Sequence, residues 1–280
     1  MIYITDSAIK IKFRPSKLYH YTSFESAFNI INSKKLWTTQ IQYLNDETEF
    51  KYAGGIAHSI LSSKLKLEIN EDDKFVYNKL LENTTFDHGA NTFIFSLSEE
   101  PDLLSQWRGY CKNSGVAMGF NYDKLEQITK EQKFELLPCI YEIEEQRKVI
   151  ENTINEIRNL YIKNKSDNNS HQFFWQVFNA RFSLIAKCIK HPSFKEEKEW
   201  RLIGGPFTSY DEKYKLRPIQ NMLLPYYEFE LSKADDLALS EFIIGPNKDL
   251  YLSQHSFGTF TRKINKKWDV QITKTPFKSE

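Results

Sequence analysis

The chain has 280 residues and is nearly neutral, with 38 lysines and arginines against 37 aspartates and glutamates. This length allows one large domain or two small ones with a substantial buried core. The balanced charge excludes a bulk attraction to nucleic acid or to an anionic membrane, although a local basic groove stays possible.

The cysteines, Cys111, Cys139 and Cys188, are odd in number and far apart, which argues against a disulfide framework and favours a reducing compartment. No apolar run reaches the ~18 residues of a membrane helix, and the first residues lack the pattern of a signal peptide. The six histidines do not fall in pairs at ligand spacing on one helix. We therefore expect a soluble cytoplasmic protein with no metal and no membrane partner.

The first elements in chain order are a strand, a helix and a strand between about residues 17 and 39. Aromatic residues surround His20 in Leu18–Thr22, as is typical of a strand. Thr22, with Glu25 three positions later, predicts a capping box at the start of the helix. A second aromatic strand follows at Leu36–Thr39.

Helices are predicted next, from about Asp46 to Leu67, where Asp46 and Glu49 repeat the capping-box pattern, and from Glu71 to Glu82. Beyond the strand Thr92–Leu97, the segment Ser98–Asp102 is expected to open a short helix. The remaining predictions are strands at 115–120, 134–141, 199–203, 223–231, 241–244 and 268–273, and helices after Asn121 and at 144–163, 171–190 and 250–263.

Helices cluster early and in the middle of the chain, strands return late, and no βαβ rhythm persists. This order predicts an α+β fold with a mixed, mostly antiparallel sheet. We expect residues 1–280 to form a single domain in which the helices at about 145–195 are an insertion.

Strands meet polar residues that can bind a ribose, a ring or a phosphate in three stretches. These are Tyr19–Thr22, the segment from Phe95–Ser98 to Gln106–Tyr110, and Glu196–Arg201. The sequence has no dinucleotide fingerprint, Walker loop, nucleophile elbow or zinc-protease motif. These stretches are therefore the candidates for a functional site.

The sequence LYHYTS at 18–23, followed by a helix and KKLWTT at 34–39, resembles the opening of ADP-ribosyltransferases. The similarity is strongest to toxin-type members that act on nucleic acids. The set YHYTS, LND at 44–46, SQWRGY at 105–110 and EKEWR at 197–201 also resembles a widespread bacterial family of uncharacterised proteins. Over about residues 17–245, the resemblance implies a split sheet of the ADP-ribosyltransferase type with extra helices.

The resemblance implies NAD as co-substrate and a triad of His20, Tyr110 and Glu199. His20 would hold the adenosine-side ribose, Tyr110 would stack on the nicotinamide, and Glu199 would accept a hydrogen bond from the nicotinamide ribose. A carboxylate there stabilises the oxocarbenium-like charge that forms when the glycosidic bond breaks. The other NAD-binding candidates are Thr22, Ser96, Ser98, Trp107 as an alternative stacking ring, and Arg108 and Arg201 for the pyrophosphate.

The implied activity is NAD-dependent mono-ADP-ribosyl transfer to a nucleic acid or protein acceptor, in a toxin or phage-defence effector with an antitoxin as a further partner. The alternatives are an NAD glycohydrolase, an RNA 2′-phosphotransferase-like enzyme, and a non-catalytic nucleotide-sensing or interaction module. Each residue also has a structural interpretation. His20 fits a half-buried strand, Tyr110 and Trp107 fit packing, Glu199 fits a partner for Lys198 or Arg201, and Glu196–Glu197 fits a solvated turn.

Overall fold

A computed structural model describes residues 9, 11, 13–44, 47–84, 91–111, 114–165, 170–232 and 237–276 of the chain, with the backbone alone at 47–50 and 170–172. The strands are β1 (Lys17–Thr22), β2 (Lys35–Gln40), β3 (Phe93–Ser98), β4 (Val116–Asn121), β5 (Phe134–Pro138), β6 (Glu199–Gly204), β7 (Tyr214–Ile219), β8 (Met222–Glu230), β9 (Leu239–Ile244) and β10 (Asp269–Ile272). The helices are α1 (Phe24–Ser33), α2 (Glu47–Leu67), α3 (Glu71–Asn83), α4 (Leu104–Tyr110), α5 (Tyr122–Glu131), α6 (Ile143–Asn164), α7 (Ser170–Ala186) and α8 (Leu250–Ile264).

The strands form one sheet in the order β10-β9-β4-β1-β3-β2-β8-β7, with β6 paired to β3 and β5 paired to β6. The pair β10–β9 is parallel, and the other strand pairs are antiparallel. The predicted α+β class with a mixed, mostly antiparallel sheet is therefore confirmed.

Strand β3 is the point at which the sheet divides. One edge of β3 pairs with β6 along its whole length, from Phe93 to Ser98. The other edge is shared, since β1 pairs with it only at Ser98 and β2 only at Phe93 and Ile94. Among the described strands, the middle of β3 has no ladder partner on this edge, so a gap opens beside Ser96.

The start of α1 differs from the predicted capping box at Thr22 and Glu25. Ser23 is the N-cap, and its hydroxyl accepts a hydrogen bond of 3.1 Å from the backbone N–H of Ser26. Thr22 instead belongs to β1, where it pairs with Val116 of β4. Thr22 is therefore the last residue of β1, as its strand pattern predicted, and it does not cap the helix. The second predicted capping box, at Asp46 and Glu49, lies outside the described residues and side chains.

The helix predicted to open at Ser98–Asp102 begins later, at Leu104. The hydroxyl of Ser98, the last residue of β3, donates to the carbonyl of Glu197 at 2.7 Å and accepts from the backbone N–H of Glu100 at 3.0 Å. These bonds hold the segment after β3 in a turn, so a helix cannot start there.

Strand β7 is absent from the sequence predictions. Its residues are mostly exposed, and it contains Pro218, which suits an edge position because proline has no N–H to donate. It forms a hairpin with β8, in which Ile219 pairs with Met222. Because most of its residues are exposed, the segment lacks the apolar alternation on which strand prediction depends.

The contacts group the chain into two compact units, Met1–Lys12 with Leu44–Ala90 and Cys139–Lys195, and Phe13–Tyr43 with Asn91–Pro138 and Glu196–Glu280. The first unit holds α2, α3, α6 and α7. The second holds the whole sheet and the other helices. The single domain with an insertion at about 145–195 stays a prediction, and α2 and α3 belong to the same helical unit as that segment.

Buried polar groups join the helices of the first unit. Arg158 of α6 makes a two-pronged ion pair with Asp73 of α3, with bonds of 2.8 and 2.6 Å. The amide of Gln146, fully buried on α6, donates to the carbonyls of Ile140 and Lys190. Because a buried amide without partners is costly, these bonds fix the start of α6 against the end of the α7 segment.

We expect Ser23→Ala to lower the free energy of unfolding by about 0.5–2 kcal/mol, since the N–H of Ser26 loses its acceptor. Ser23→Asn, which keeps a capping oxygen, should stay near the wild-type value. Urea denaturation of both variants measures the difference. Equal stability of the two variants would show that the cap does not contribute.

Candidate functional site

One small cavity in the sheet unit brings together residues from β1, β3, α4 and β6. Its volume is about 40 Å³. Five predicted site residues line it, namely His20, Ser96, Ser98, Tyr110 and Glu199. The remaining lining residues are Tyr19, Tyr21, Leu97, Gln106 and Glu197. Residues 179 positions apart in sequence, His20 and Glu199, thus meet at one site.

His20 is placed by the division of the sheet. Its Nδ1 lies 3.0 Å from the carbonyl oxygen of Ser96, in the gap where β1 and β2 diverge. Its ring also contacts Phe95, with ring centroids 4.1 Å apart. Burial lowers the pKa of His20 to about 4, although the bond to the Ser96 carbonyl acts in the opposite direction. The imidazole is therefore neutral at pH 7, and its Nδ1–H donates to Ser96, which leaves Nε2 as an acceptor.

Glu199 is buried at the first position of β6 and faces Ser98 across the β3–β6 pair. Arg201, two residues along the same strand and on the same face, binds its carboxylate through two nitrogens, at 2.9 and 3.1 Å. Both side chains are nearly inaccessible, at 6% and 5% exposure. A two-pronged guanidinium–carboxylate pair fixes the plane of the carboxylate as well as its charge.

The backbone just before Glu199 is unusual. Lys198 has a φ of 41°, in the left-handed region that residues other than glycine rarely occupy. Its carbonyl accepts the N–H of Glu99, and its ammonium pairs with Glu100. The turn that leads into Glu199 is thus bonded to the turn that follows β3.

Helix α4 brings Gln106 and Tyr110 to the cavity, and Tyr21 holds the segment before it. The Tyr21 hydroxyl donates to the carbonyl of Glu100 at 2.6 Å and accepts the N–H of Leu103 at 2.9 Å. Its ring meets Trp107 edge to face, with centroids 4.7 Å apart. The position of α4 therefore depends on β1.

Asp102 makes the second attachment of α4. It accepts the indole N–H of Trp107 at 2.7 Å, the Thr273 hydroxyl at 2.5 Å and the backbone N–H of Lys274 at 2.7 Å. Burial raises the pKa of Asp102, but these hydrogen bonds outweigh burial and bring it below its usual value. Asp102 is thus a charged anchor between α4 and the segment after β10.

The other predicted site residues lie elsewhere. Trp107 is 2% exposed and packs on Gly245, where an added Cβ would lie 2.6 Å from the ring. Its face is therefore covered, and Tyr110, 56% exposed, is the more accessible of the two rings. Arg108 is exposed on α4, and Thr22 is buried in β1. Arg201 binds the Glu199 carboxylate, which differs from the predicted contact with a pyrophosphate.

Sequence reasoning did not single out Tyr19, Tyr21, Leu97, Gln106 and Glu197 as site residues. Each lies inside one of the three stretches, one or two positions from a residue that was selected. Glu197, expected in a solvated turn, is half-buried and lines the cavity. Tyr19 donates to Glu241 at 2.5 Å, and burial and this carboxylate raise its pKa. Glu197 ends a short 3₁₀ helix before β6, so strand alternation from Glu199 does not extend to it, and no local pattern indicated it.

The cavity is too small for a nucleotide as it stands. A volume of about 40 Å³ holds two or three water molecules, whereas ligand pockets usually span about 300–1,000 Å³. Over the described part of the chain, no group of three or more histidines, cysteines or acids could hold a metal ion. Nor is any described helix both long and apolar enough to cross a bilayer.

Comparison with known proteins gives limited matches. A family model described as "Protein of unknown function (DUF2971)" matches residues 106–202, a range that includes Gln106, Tyr110 and Glu199. Cytochrome P450 monooxygenase 521A1 of Dictyostelium discoideum is 25% identical over 138 residues, which are 49% of this chain and 26% of that protein. The chain thus matches only about a quarter of this relative's length. No solved structure matches.

We expect His20 to make stability depend on pH. The unfolded histidine has a pKa near 6.5 and the folded one about 4, so the unfolded state binds more protons between these values. Stability is full above pH 6.5 and falls as the pH drops towards 4, by up to about 3 kcal/mol from this group. His20→Asn, whose amide can donate to Ser96 without titrating, should lose less stability on acidification than the wild type.

Urea denaturation at pH 7 and 4.5 gives the free energy of unfolding of both proteins. Equal losses of stability would contradict a buried, neutral His20.

We expect the Glu199–Arg201 pair to be strongly coupled. Arg201→Met should lower the free energy of unfolding by about 3–5 kcal/mol, because the Glu199 carboxylate stays buried without its partner. The double variant Glu199→Gln/Arg201→Met should recover part of this loss, since no buried charge is left. A double-mutant cycle by chemical denaturation measures the coupling, and additive losses would show that the two groups act independently.

Proposed function

We propose that this chain is an NAD-dependent mono-ADP-ribosyltransferase, which releases nicotinamide from NAD and transfers ADP-ribose to a macromolecular acceptor. The observation that supports this most is the convergence of His20, Tyr110 and Glu199 on one cavity beside the division of the sheet. The resemblance assigned a role to one residue in each of three stretches that lie far apart in the sequence. Their meeting at one cavity is what a shared site requires.

Glu199 is suited to stabilise positive charge on a ribose. Breaking the bond between ribose and nicotinamide creates oxocarbenium-like charge, and a carboxylate held in place lowers the barrier more than it binds the ground state. Arg201 holds this carboxylate through both oxygens. In the proposed mechanism, Arg201 is thus a positioning residue, which orients Glu199 rather than binding the pyrophosphate.

His20 is suited to hold a ribose hydroxyl. Its Nδ1–H is engaged by the Ser96 carbonyl, and its low pKa keeps Nε2 unprotonated at pH 7. A neutral imidazole with this tautomer accepts a hydrogen bond from a hydroxyl group. Ser96 is half-buried and lines the same cavity, whereas both hydrogen-bonding roles of the Ser98 hydroxyl are already taken by the backbone. Ser96 is therefore the better candidate for a contact with the carboxamide.

Tyr110 is suited to stack on a nicotinamide ring because more than half of its surface is exposed. The proposal requires the cavity to widen when NAD binds, since its present volume accommodates only water. Tyr110 lies at the last position of α4, and a shift of this short helix would enlarge the space beside Glu199. Arg108, two residues earlier on α4, is exposed and is the candidate for a contact with the pyrophosphate.

An RNA 2′-phosphotransferase-like activity is less compatible with the cavity, because its described lining includes neither lysine nor arginine. A P450-like activity has no support from the site either. A haem thiolate needs a cysteine facing a large cavity, and Cys111, Cys139 and Cys188 are all buried and do not line this one.

A second candidate, a non-catalytic nucleotide-sensing or interaction module, is favoured by two observations. Both carboxylate oxygens of Glu199 are already bound by Arg201, and the cavity is small. In such a module, the pair would be a structural element of β6. NAD binding without turnover distinguishes this candidate from the enzyme.

The test is to incubate the protein with NAD and candidate acceptors, cell RNA, DNA and protein, and to measure released nicotinamide by chromatography. Glu199→Gln should lower the rate by about 100–1,000-fold, as for the loss of one aimed polar group. Tyr110→Phe should keep most of the rate, and Tyr110→Ala should not, because only the ring is needed. Glu131→Gln, an exposed acid on α5, is the matched control.

Free ADP-ribose as the product in place of a modified acceptor would assign an NAD glycohydrolase. Tight NAD binding with no nicotinamide release would select the sensing module. A wild-type protein that neither binds nor cleaves NAD, with a folded Glu199→Gln variant that behaves identically, would contradict the proposal.

A further inference from the structure

A second cavity lies at the far edge of the sheet, in the groove between α8 and β10. Its volume is about 410 Å³, within the usual range of ligand pockets. The lining residues are Tyr251, Gln254, His255, Arg262, Trp268, Asp269 and Val270. None of them belongs to the cavity around Glu199, so this groove is a separate feature.

The groove is built by specific contacts. The amide of Gln254 donates to the carbonyl of Val270 at 2.7 Å and joins α8 to β10. Trp268 is buried, and its indole N–H donates to the carbonyl of Leu239 at 3.0 Å. Gly258 leaves room for Arg262 to lie back along the helix, since an added Cβ would come within 3.3 Å of the guanidinium.

The charge around this groove departs from the balance of the whole chain. From Leu250 to Ile272 the sequence contains four lysines and arginines and a single acid, Asp269. The four cations, Arg262, Lys263, Lys266 and Lys267, occupy the last turn of α8 and the turn that follows, and all are exposed. None of them is ion-paired with a carboxylate among the described residues. Unpaired cations concentrated in six residues attract a polyanion.

Aromatic surface is available next to the cations. Tyr251 is 76% exposed and lines the groove, and His255 lies one helical turn further along α8. Bases of a single strand stack on such rings while lysines and arginines bind the phosphates. The amide oxygen of Gln254, whose N–H donates to Val270, and the carboxylate of Asp269, which accepts from Gln271, provide acceptors for a base edge.

We propose that the α8–β10 groove binds single-stranded nucleic acid, with the cations at 262–267 on the phosphates and Tyr251 on a base. A concave groove with polar walls favours this ligand over a flat lipid surface, which would need a continuous apolar face. The proposal concerns binding alone and does not depend on transfer at Glu199. If the proposed activity holds as well, the groove would select nucleic acid as the acceptor.

The test is fluorescence anisotropy of labelled oligo(dT) and oligo(U) of about 12 nucleotides, without NAD, over a series of KCl concentrations. Four phosphate contacts predict a slope of log K against log salt of about −3. Lys266→Gln/Lys267→Gln should weaken binding and reduce the slope by about 1.4. Tyr251→Ala should weaken binding about 5- to 150-fold. The control Lys163→Gln/Lys215→Gln removes two exposed lysines elsewhere and should bind like wild type.

Several outcomes would overturn this inference. One is absence of oligonucleotide binding at low salt, and another is equal loss in the groove and control variants. A duplex that binds as tightly as the single strands, with no effect of Tyr251→Ala, would exclude the single-strand mode. Binding to phosphatidylserine vesicles, but not to oligonucleotides, with the same dependence on Lys266 and Lys267 would assign the patch to membranes. Glu199→Gln should keep full binding, so loss of transfer and loss of binding are separable.

Discussion

The hydrogen bond between the His20 imidazole and the Ser96 carbonyl occupies the place where the sheet divides. Because β1 and β2 both pair with β3 on one edge but at opposite ends, the middle of β3 exposes a backbone carbonyl that none of the described strands reaches. A buried carbonyl needs a donor, and the imidazole supplies it at 3.0 Å. The bond places the ring beside the cavity, and burial keeps the ring neutral there, although the Ser96 carbonyl shifts its pKa in the opposite direction.

Buried polar pairs hold the remaining walls of the cavity. Arg201 orients Glu199 on β6, Tyr21 holds the segment before α4, and Asp102 binds Trp107 from the other side of that helix. Each of these groups would be costly to bury alone. Their mutual satisfaction gives a site with little freedom in β1 and β6, and leaves Tyr110, at the last position of α4, as the most exposed of the described lining residues.

Much of the fold and part of the site were predictable from the sequence. Strands such as β1 and β6 contain aromatic and apolar residues that suit a pleated surface. Asn121 predicted the start of α5, because its side chain can cap a helix, and in the structure it accepts the N–H of Lys124. The exposed β7 gave no such pattern. The division of β3 and the pairing of Arg201 with Glu199 depend on contacts between distant segments, so no local rule could give them. Trp107 shows why such contacts matter. Its indole ring could stack on a ligand, but the ring packs against Gly245 and is covered.

The hydrogen bonds of Asp102 make residues 273–275 part of the support of the cavity wall formed by α4. Its carboxylate and carbonyl take up donors from Thr273, Lys274 and Thr275, immediately after the last strand. Removal of these few residues would leave the half-buried carboxylate of Asp102 with a single indole partner, next to the helix that presents Tyr110. Proteolytic cleavage within residues 273–275 would therefore reduce the order of one wall of the cavity.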